Sequence, residues 1–235
     1  MQKSCSIAWL AGAVALFAAP LQAQPLPPPQ NVVQLSASGT VDVPQDHLSL
    51  TLGTTRQAAD AATVQTQLKA VVDAALAEAR KAAAPGQLEV RSGGFSLYPR
   101  HTEDGRISTW QGSAEIVLEG RDFGRITSTA ARVSGLTVSQ VAFSLSREER
   151  ARVEAQAQAM AIAQFRAKAA ELARAFGFAD YALREVSVMA DDAGTLPHPR
   201  MAAMQSKAYA DAAPVPVEAG KTAVTVTVSG SVQLK

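Results

Sequence analysis

The sequence predicts an α+β fold, with antiparallel sheets packed against long Ala-rich amphipathic helices, and three observations carry that reading. Stretches of strict apolar/polar alternation come in pairs, and two long Ala-rich stretches repeat apolar residues at helical spacing. The helical stretches also fall among hairpin-like pairs rather than alternating with single strands, giving the order ββαββαβαββ.

Each element has its own signal. "VVQLSASGTVDVP" alternates up to Pro44 and "HLSLTLGTT" resumes after a short turn, which predicts two antiparallel strands. Residues 58–84 carry Val64, Leu68, Val71, Val72, Ala75 and Leu76 on one helical face and stop at Pro85-Gly86. "LEVRSGGFSLY" and "ISTWQGSAEIVLEG" read as two strands flanking a loop, and Asp122 is placed to cap a shorter helix that runs to about Ser134. "LTVSQVAFSLS" is a fifth strand. Residues 147–176 form the most helical stretch, with Met160, Ile162, Phe165, Ala169, Leu172 and Phe176 expected to face the core and Gly177 to close the helix. "YALREVSVMA" is strand-like, the polar, Pro-containing stretch from Asp191 to about Gly220 is loop-like, and "TAVTVTVSGSVQLK" is a last strand of nearly perfect period two. The element pattern partly recurs between the halves, a long helix followed by strands, without a repeat at the level of residues.

The chain divides into residues 1–23, 24–31 and 32–235. The first carries one Lys, an uncharged apolar run from Ile7 to Ala19 and the sequence Leu21-Gln22-Ala23, the layout of a secretory signal peptide cut after Ala23. Leu21 is larger than the usual residue at that position, which leaves a neighbouring cut or an uncleaved anchor open. Residues 24–31 form a Pro-rich extended leader. Cleavage removes Lys3 and no acidic residue, so the formal charge falls from +1 to zero. A neutral mature chain argues against nucleic acid or an anionic membrane as partner, and no spanning segment is expected in it. Cys5, the sole cysteine, lies before the apolar run, so the mature chain is expected to hold no disulfide and no thiol nucleophile. The expected compartment is the periplasm.

Two segments invite a functional reading. "LYPRHTEDGRISTW" gathers His101, Glu103 and Asp104 between Tyr98 and Trp110. Alternation on both sides makes it a hairpin tip, with Asp104-Gly105 suited to positive φ and with Tyr98 and Trp110 near opposite ends of the paired strands. A solvated tip does not tune a carboxylate or imidazole for acid-base work, so its reading is structural. "LPHPRMAAMQ" holds His198, Met201 and Met204, with Met189 upstream. Thioether and imidazole ligands suit Cu(I), and exposed methionines can serve as a reversible oxidant sink; the plain alternative is a loop whose methionines pack on the body or on a neighbouring subunit. His47 opens a strand and reads as a surface residue. No recurring metal-ligand spacing, phosphate-binding glycine loop or G-x-S-x-G elbow is present, so the expectation is a protein without enzymatic activity or cofactor.

Four segments in order resemble the SIMPL-domain family, also called DUF541: "SASGTVDVPQDHLSLTLG", "FSLYPRHTEDGRISTWQGSAEIVLEG", "VAFSLSREERARVEAQAQAMAIAQFRAKAAELARAFG" and "PVPVEAGKTAVTVTVSGSVQLK". The sequence departs from the family pattern by Gln45 inserted in the Pro-Asp turn and by Trp110-Gln111 where many relatives have a Gly-Tyr pair. The resemblance spans residues 32–235 and implies a bacterial extracytoplasmic α+β protein that forms homo-oligomers and is linked in some bacteria to oxidative-stress protection. It also leaves association with the outer membrane open, and it carries over no catalytic residues. The function expected is therefore a non-enzymatic, self-assembling periplasmic protein; the alternative is copper binding or oxidant scavenging through residues 189–204.

Overall fold

The computed structural model describes residues 30–191 and 218–235. Ten elements follow one another: β1 (Val32–Pro44), β2 (His47–Ala58), α1 (Ala61–Arg80), β3 (Glu89–His101), β4 (Ile107–Gly120), α2 (Phe123–Arg132), β5 (Thr137–Ser144), α3 (Arg147–Ala175), β6 (Tyr181–Asp191) and β7 (Lys221–Leu234). The order is the one the hydrophobic periods predict, and the class is α+β. Both sheets are wholly antiparallel, one ordered β1-β7-β6 and the other β3-β4-β2-β5.

The first pair of strands corrects the sequence reading. β1 and β2 do not pair with each other: β1 runs along β7 from Val32 opposite Gln233 to Pro44 opposite Lys221, whereas β2 lies between β4 and β5. The two residues between them do not close a hairpin because both are engaged elsewhere. The Gln45 amide N–H donates to the Gly220 carbonyl at 2.9 Å and its side chain to the Phe143 carbonyl at 3.1 Å, so Gln45 hands the chain from one sheet to the other.

Each sheet is covered on one face. In the four-stranded sheet Leu48, Leu50, Leu52, Ile116 and Leu118 point toward Ala75 and Ala79 of α1 and Ile126 of α2, and all are buried. α1 begins later than the periodicity suggests, because β2 continues to Ala58 opposite Trp110 and the Asp60 carboxylate then caps the helix by accepting from the Thr63 amide at 2.8 Å. Its buried Val64, Leu68 and Ala75, with Val72 and Leu76 partly buried beside them, follow the predicted face. Asp122 caps α2 as expected, accepting from the Arg125 amide at 2.9 Å.

In the three-stranded sheet the covering helix keeps part of its predicted face, with Phe165 and Ala169 buried and Leu172 partly buried, and departs from the rest. The buried stripe of α3 is Val153, Ala157, Ala161, Phe165, Ala169 and Ala173, at strict four-residue spacing, while Met160, Ile162 and Phe176 are 44%, 38% and 62% exposed. The cause is distance. A Cβ on Gly39 of β1 would lie 2.2 Å from the Ala157 carbonyl oxygen and 2.7 Å from the Ala161 nitrogen, so the helix backbone rests directly on the strand and only small side chains fit between. The helix closes as expected at Gly177 (φ +80°), where the Gly177 N–H donates to the Arg174 carbonyl and the Phe178 N–H to the Ala173 carbonyl, a Schellman ending.

Candidate functional site

Both chain passages between the sheets meet at one place. The first is Gln45-Asp46, between β1 and β2; the second is Leu145-Ser146, between β5 and α3. They are clasped together by Asp46, whose carboxylate accepts from the Ser146 amide and from the Ser146 hydroxyl, each at 2.7 Å, and lies 2.9 Å from the Arg121 guanidinium. Beneath the clasp Val43, Leu145, Val153 and Val224 form a small buried cluster that joins the two halves.

"SREE" in the sequence is a capping-box pattern, Ser at the N-cap and Glu three residues on. The structure uses half of it. The Ser146 hydroxyl accepts from the Glu149 amide at 3.2 Å, but the Ser146 amide, which the Glu would take in a closed box, goes to Asp46 instead, and Glu149 turns to Arg152. Partial burial pushes the Asp46 carboxyl up, yet the two Ser146 hydrogen bonds and the Arg121 charge outweigh it and hold the group below the usual carboxylate value. Hydrogen bonding from Arg152 likewise lowers Glu149.

Beside the clasp opens a cleft of about 590 Å³, lined by His47, Glu89, Glu119, Arg121, Ser144 and Arg147 among others. Its charges are partly paired across the rim: Glu119 takes a two-pronged contact from Arg91, at 2.8 and 3.3 Å. His47 is half-buried, with Nδ1 3.4 Å from the Ser144 hydroxyl, which corrects its reading as a simple surface residue. The arrangement is that of a structural clasp. The Asp46 carboxyl is held below the usual carboxylate value, which leaves it a weaker base than acid-base work near neutral pH calls for.

The hairpin tip is where the sequence places it. His101 closes β3, Glu103 and Asp104 are exposed, and the loop is closed by the Thr102 amide donating to the Arg106 carbonyl at 2.8 Å. Positive φ is confined to Gly105, at +75°. Tyr98 and Trp110 are not at opposite ends of the strands: Tyr98 faces Gln111 and Pro99 faces Trp110, so they are neighbours in register with their side chains on opposite faces. Trp110 packs on the cluster of Val64, Leu68 and Ala114, and Tyr98 is 41% exposed. His198, Met201 and Met204 lie outside the described residues, as do residues 1–23, expected to be a signal peptide; Met189, on β6, is 60% exposed. Among the described residues no group of three or more His, Cys, Asp or Glu could hold a metal ion.

With this geometry in place, the family can be stated. Residues 33–232 match the model of SIMPL, described as a protein of unknown function (DUF541). The chain belongs to the SIMPL family. No curated protein matches this SIMPL chain. Among solved structures three chains match, one of them "The crystal structure of AtUAH in complex with (S)-hydroxyglycine", which is 14% identical, with 55% of the SIMPL chain and 34% of that chain covered and a TM-score of 0.23. The match thus spans about a third of that chain, and its ligand transfers no role to any residue of the SIMPL chain.

No helix among the described residues is long and apolar enough to cross a membrane. Sequence reading missed Asp46, Arg121 and Ser146 as a unit. Ser146 carried a readable signal in its capping-box spacing; Asp46 carried none, because its partner lies a hundred positions away.

Proposed function

We propose that this SIMPL protein is a non-enzymatic, extracytoplasmic protein that works by assembling with copies of itself, in the periplasm or at the outer membrane, and that it contributes there to oxidative-stress protection. The observation that carries the reading is the placement of exposed apolar side chains along sheet edges: Val138 and Val141 on β5, and Leu183, Val186, Val188 and Met189 on β6, are all more than a third exposed. Edge strands with uncovered apolar residues are templates for pairing with another chain. The clasp at Asp46 supports the same reading, since it spends its charged groups on holding two sheets together. The apolar signal segment supports export, and the resemblance to stress-linked relatives supports the protective role.

The test is native mass spectrometry of the mature protein isolated from the periplasm without chelator. A discrete homo-oligomer with no added mass is the expected result. A monomer at every concentration would overturn the assembly reading, and a monomer retaining copper would replace it with the metal-binding alternative through His198, Met201 and Met204.

A further inference from the structure

One half of the molecule is inserted into the other. The four-stranded sheet with α1 and α2 is one uninterrupted stretch, residues 47–144, and it separates β1 from the α3, β6 and β7 with which β1 packs. The inserted half enters and leaves at a single point, because His47, the first residue of β2, lies directly opposite Ser144, the last of β5. Adjacent chain ends of this kind are what allow one folding unit to sit inside another.

Each half keeps its own core. α3 packs on β1, β6 and β7, whereas α1 packs on β2, β3 and β4, and α2 on β2, β4 and α1. All extensive packing between described elements therefore lies within one half or the other. The buried clusters divide in the same way, and the two passages add to them only Leu145, which is seated with Val43, Val153 and Val224 against the three-stranded half. The remaining ties at the passages are polar: the Gln45 side chain to the Phe143 carbonyl at 3.1 Å, and Asp46 to Ser146 at 2.7 Å and to Arg121 at 2.9 Å. Units of one chain joined by a small polar interface, with no large apolar one, move relative to each other by default.

We propose that the two halves are lobes that swing about the paired passages Gln45-Asp46 and Leu145-Ser146, with Asp46 as the latch that fixes their angle. Hinge motion is absorbed by a few residues at the ends of elements, and each passage supplies two. Asp46 grips α3 through its N-cap Ser146 and the inserted lobe through Arg121, so a change of angle has to stretch one of those contacts. The cleft beside the clasp takes Gln87, Glu89 and Glu119 from the inserted lobe and Arg147 and Glu148 from the other. Its width is thus set by the hinge, and it can change while both cores stay packed.

The test is a pair of spin labels on the mature full-length chain, which has no other thiol because Cys5 precedes the expected cleavage site. Gln67→Cys on α1 and Gln164→Cys on α3, both exposed, report the distance between the lobes; Gln67→Cys with the exposed Gln140→Cys on β5 reports a distance inside one lobe. Labelled chain diluted into unlabelled chain restricts double electron–electron resonance to distances within a molecule. Asp46→Ala is expected to widen the distribution between lobes about twofold or more and to leave the distribution inside the lobe unchanged. If neither distribution changes, the halves form one rigid body and the hinge is overturned. If both widen, Asp46→Ala has loosened the fold itself, and Arg121→Gln, which keeps the bonds from Ser146 to Asp46, decides the matter: widening between the lobes alone is the expected result, and no change overturns the latch.

Discussion

The two halves of the molecule share an architecture, helix on antiparallel sheet, and reach it by opposite routes. The four-stranded half fills the space between layers with large side chains: Leu48, Leu50, Leu52, Ile116 and Leu118 meet Ala75 and Ala79 of α1 and Ile126 of α2. The three-stranded half removes the space. α3 lays Ala157 and Ala161 directly on Gly39, and most of the apolar bulk comes from the sheet, from Leu35, Val226, Val228, Val232 and Leu234, with Phe165 the one large side chain the helix adds to the buried cluster. Burying a Leu or Ile contributes about 1.5–3 kcal/mol, far more than an Ala can, so the second half depends on close contact where the first depends on apolar volume. One half should therefore tolerate enlargement poorly and the other truncation.

The sharpest way to break that contrast is to enlarge Gly39. A Cβ there meets backbone, which cannot rotate away as a side chain can, and the two further methyls of Gly39→Val make it worse. The expected loss exceeds about 4 kcal/mol, in the exceptional class, read as a collapse of the denaturant midpoint. Gly53→Ala is the control, because its Cβ would meet nothing nearer than 3.6 Å. Equal effects at the two glycines would show that α3 does not rest on β1. In the other half, Leu118→Ala empties a fully buried site and should cost about 3 kcal/mol by the same measurement.

The same contrast explains what the sequence made legible. α1 was readable because its partners are large: Val64, Leu68 and Ala75 sit where a hydrophobic period places them. α3 was readable as a helix but not in its facing, since hydrophobicity favours Met160 and Ile162 whereas contact distance favours Ala157 and Ala161. Gly39 is the missing signal, and nothing local announces that a glycine in a strand lies under a helix more than a hundred residues later. The pairing of β1 with β7 was hidden for a related reason. Two alternating strands around a short turn look like a hairpin, and only the distant engagements of Gln45 and Asp46 prevent one. At the site, the hairpin tip at Asp104-Gly105 followed from local turn chemistry, while the clasp was assembled from residues that only the fold brings together.

The clasp itself links the two halves, and its removal should fall next in size. Asp46→Ala leaves the Ser146 amide and hydroxyl without their acceptor and Arg121 without its counter-ion, with an expected loss of about 2 kcal/mol at pH 7. The pH dependence has a definite sign. The folded Asp46 titrates below its unfolded value, so its contribution is complete above the unfolded value, about 3.9, and disappears as pH falls through the lower folded one. Asp46→Asn should thus be less stable than wild type at pH 7, and the gap should close as pH drops below about 4. A gap that persists unchanged into strong acid would mean that the carboxylate charge contributes nothing to joining the sheets.

The smallest effect is the one that separates the two accounts of α3. Periodicity places both Ile162 and Phe165 on the core face, but Ile162 is 38% exposed whereas Phe165, three residues on, lies in the buried stripe and is 2% exposed. If the whole face that periodicity favours anchored this helix, truncating either would cost several kcal/mol. With the helix seated by the stripe of alanines and Phe165, Ile162→Ala should change stability by no more than about 0.5 kcal/mol, because the side chain gives up little buried area. Phe165→Ala, by contrast, should cost about 3–5 kcal/mol. A substantial loss at Ile162 in a monomeric preparation would mean that α3 is rotated on its sheet and does not rest on Gly39. The same loss appearing only when the protein is concentrated would place Ile162 in contact with another copy and leave the packing of α3 on β1 as described.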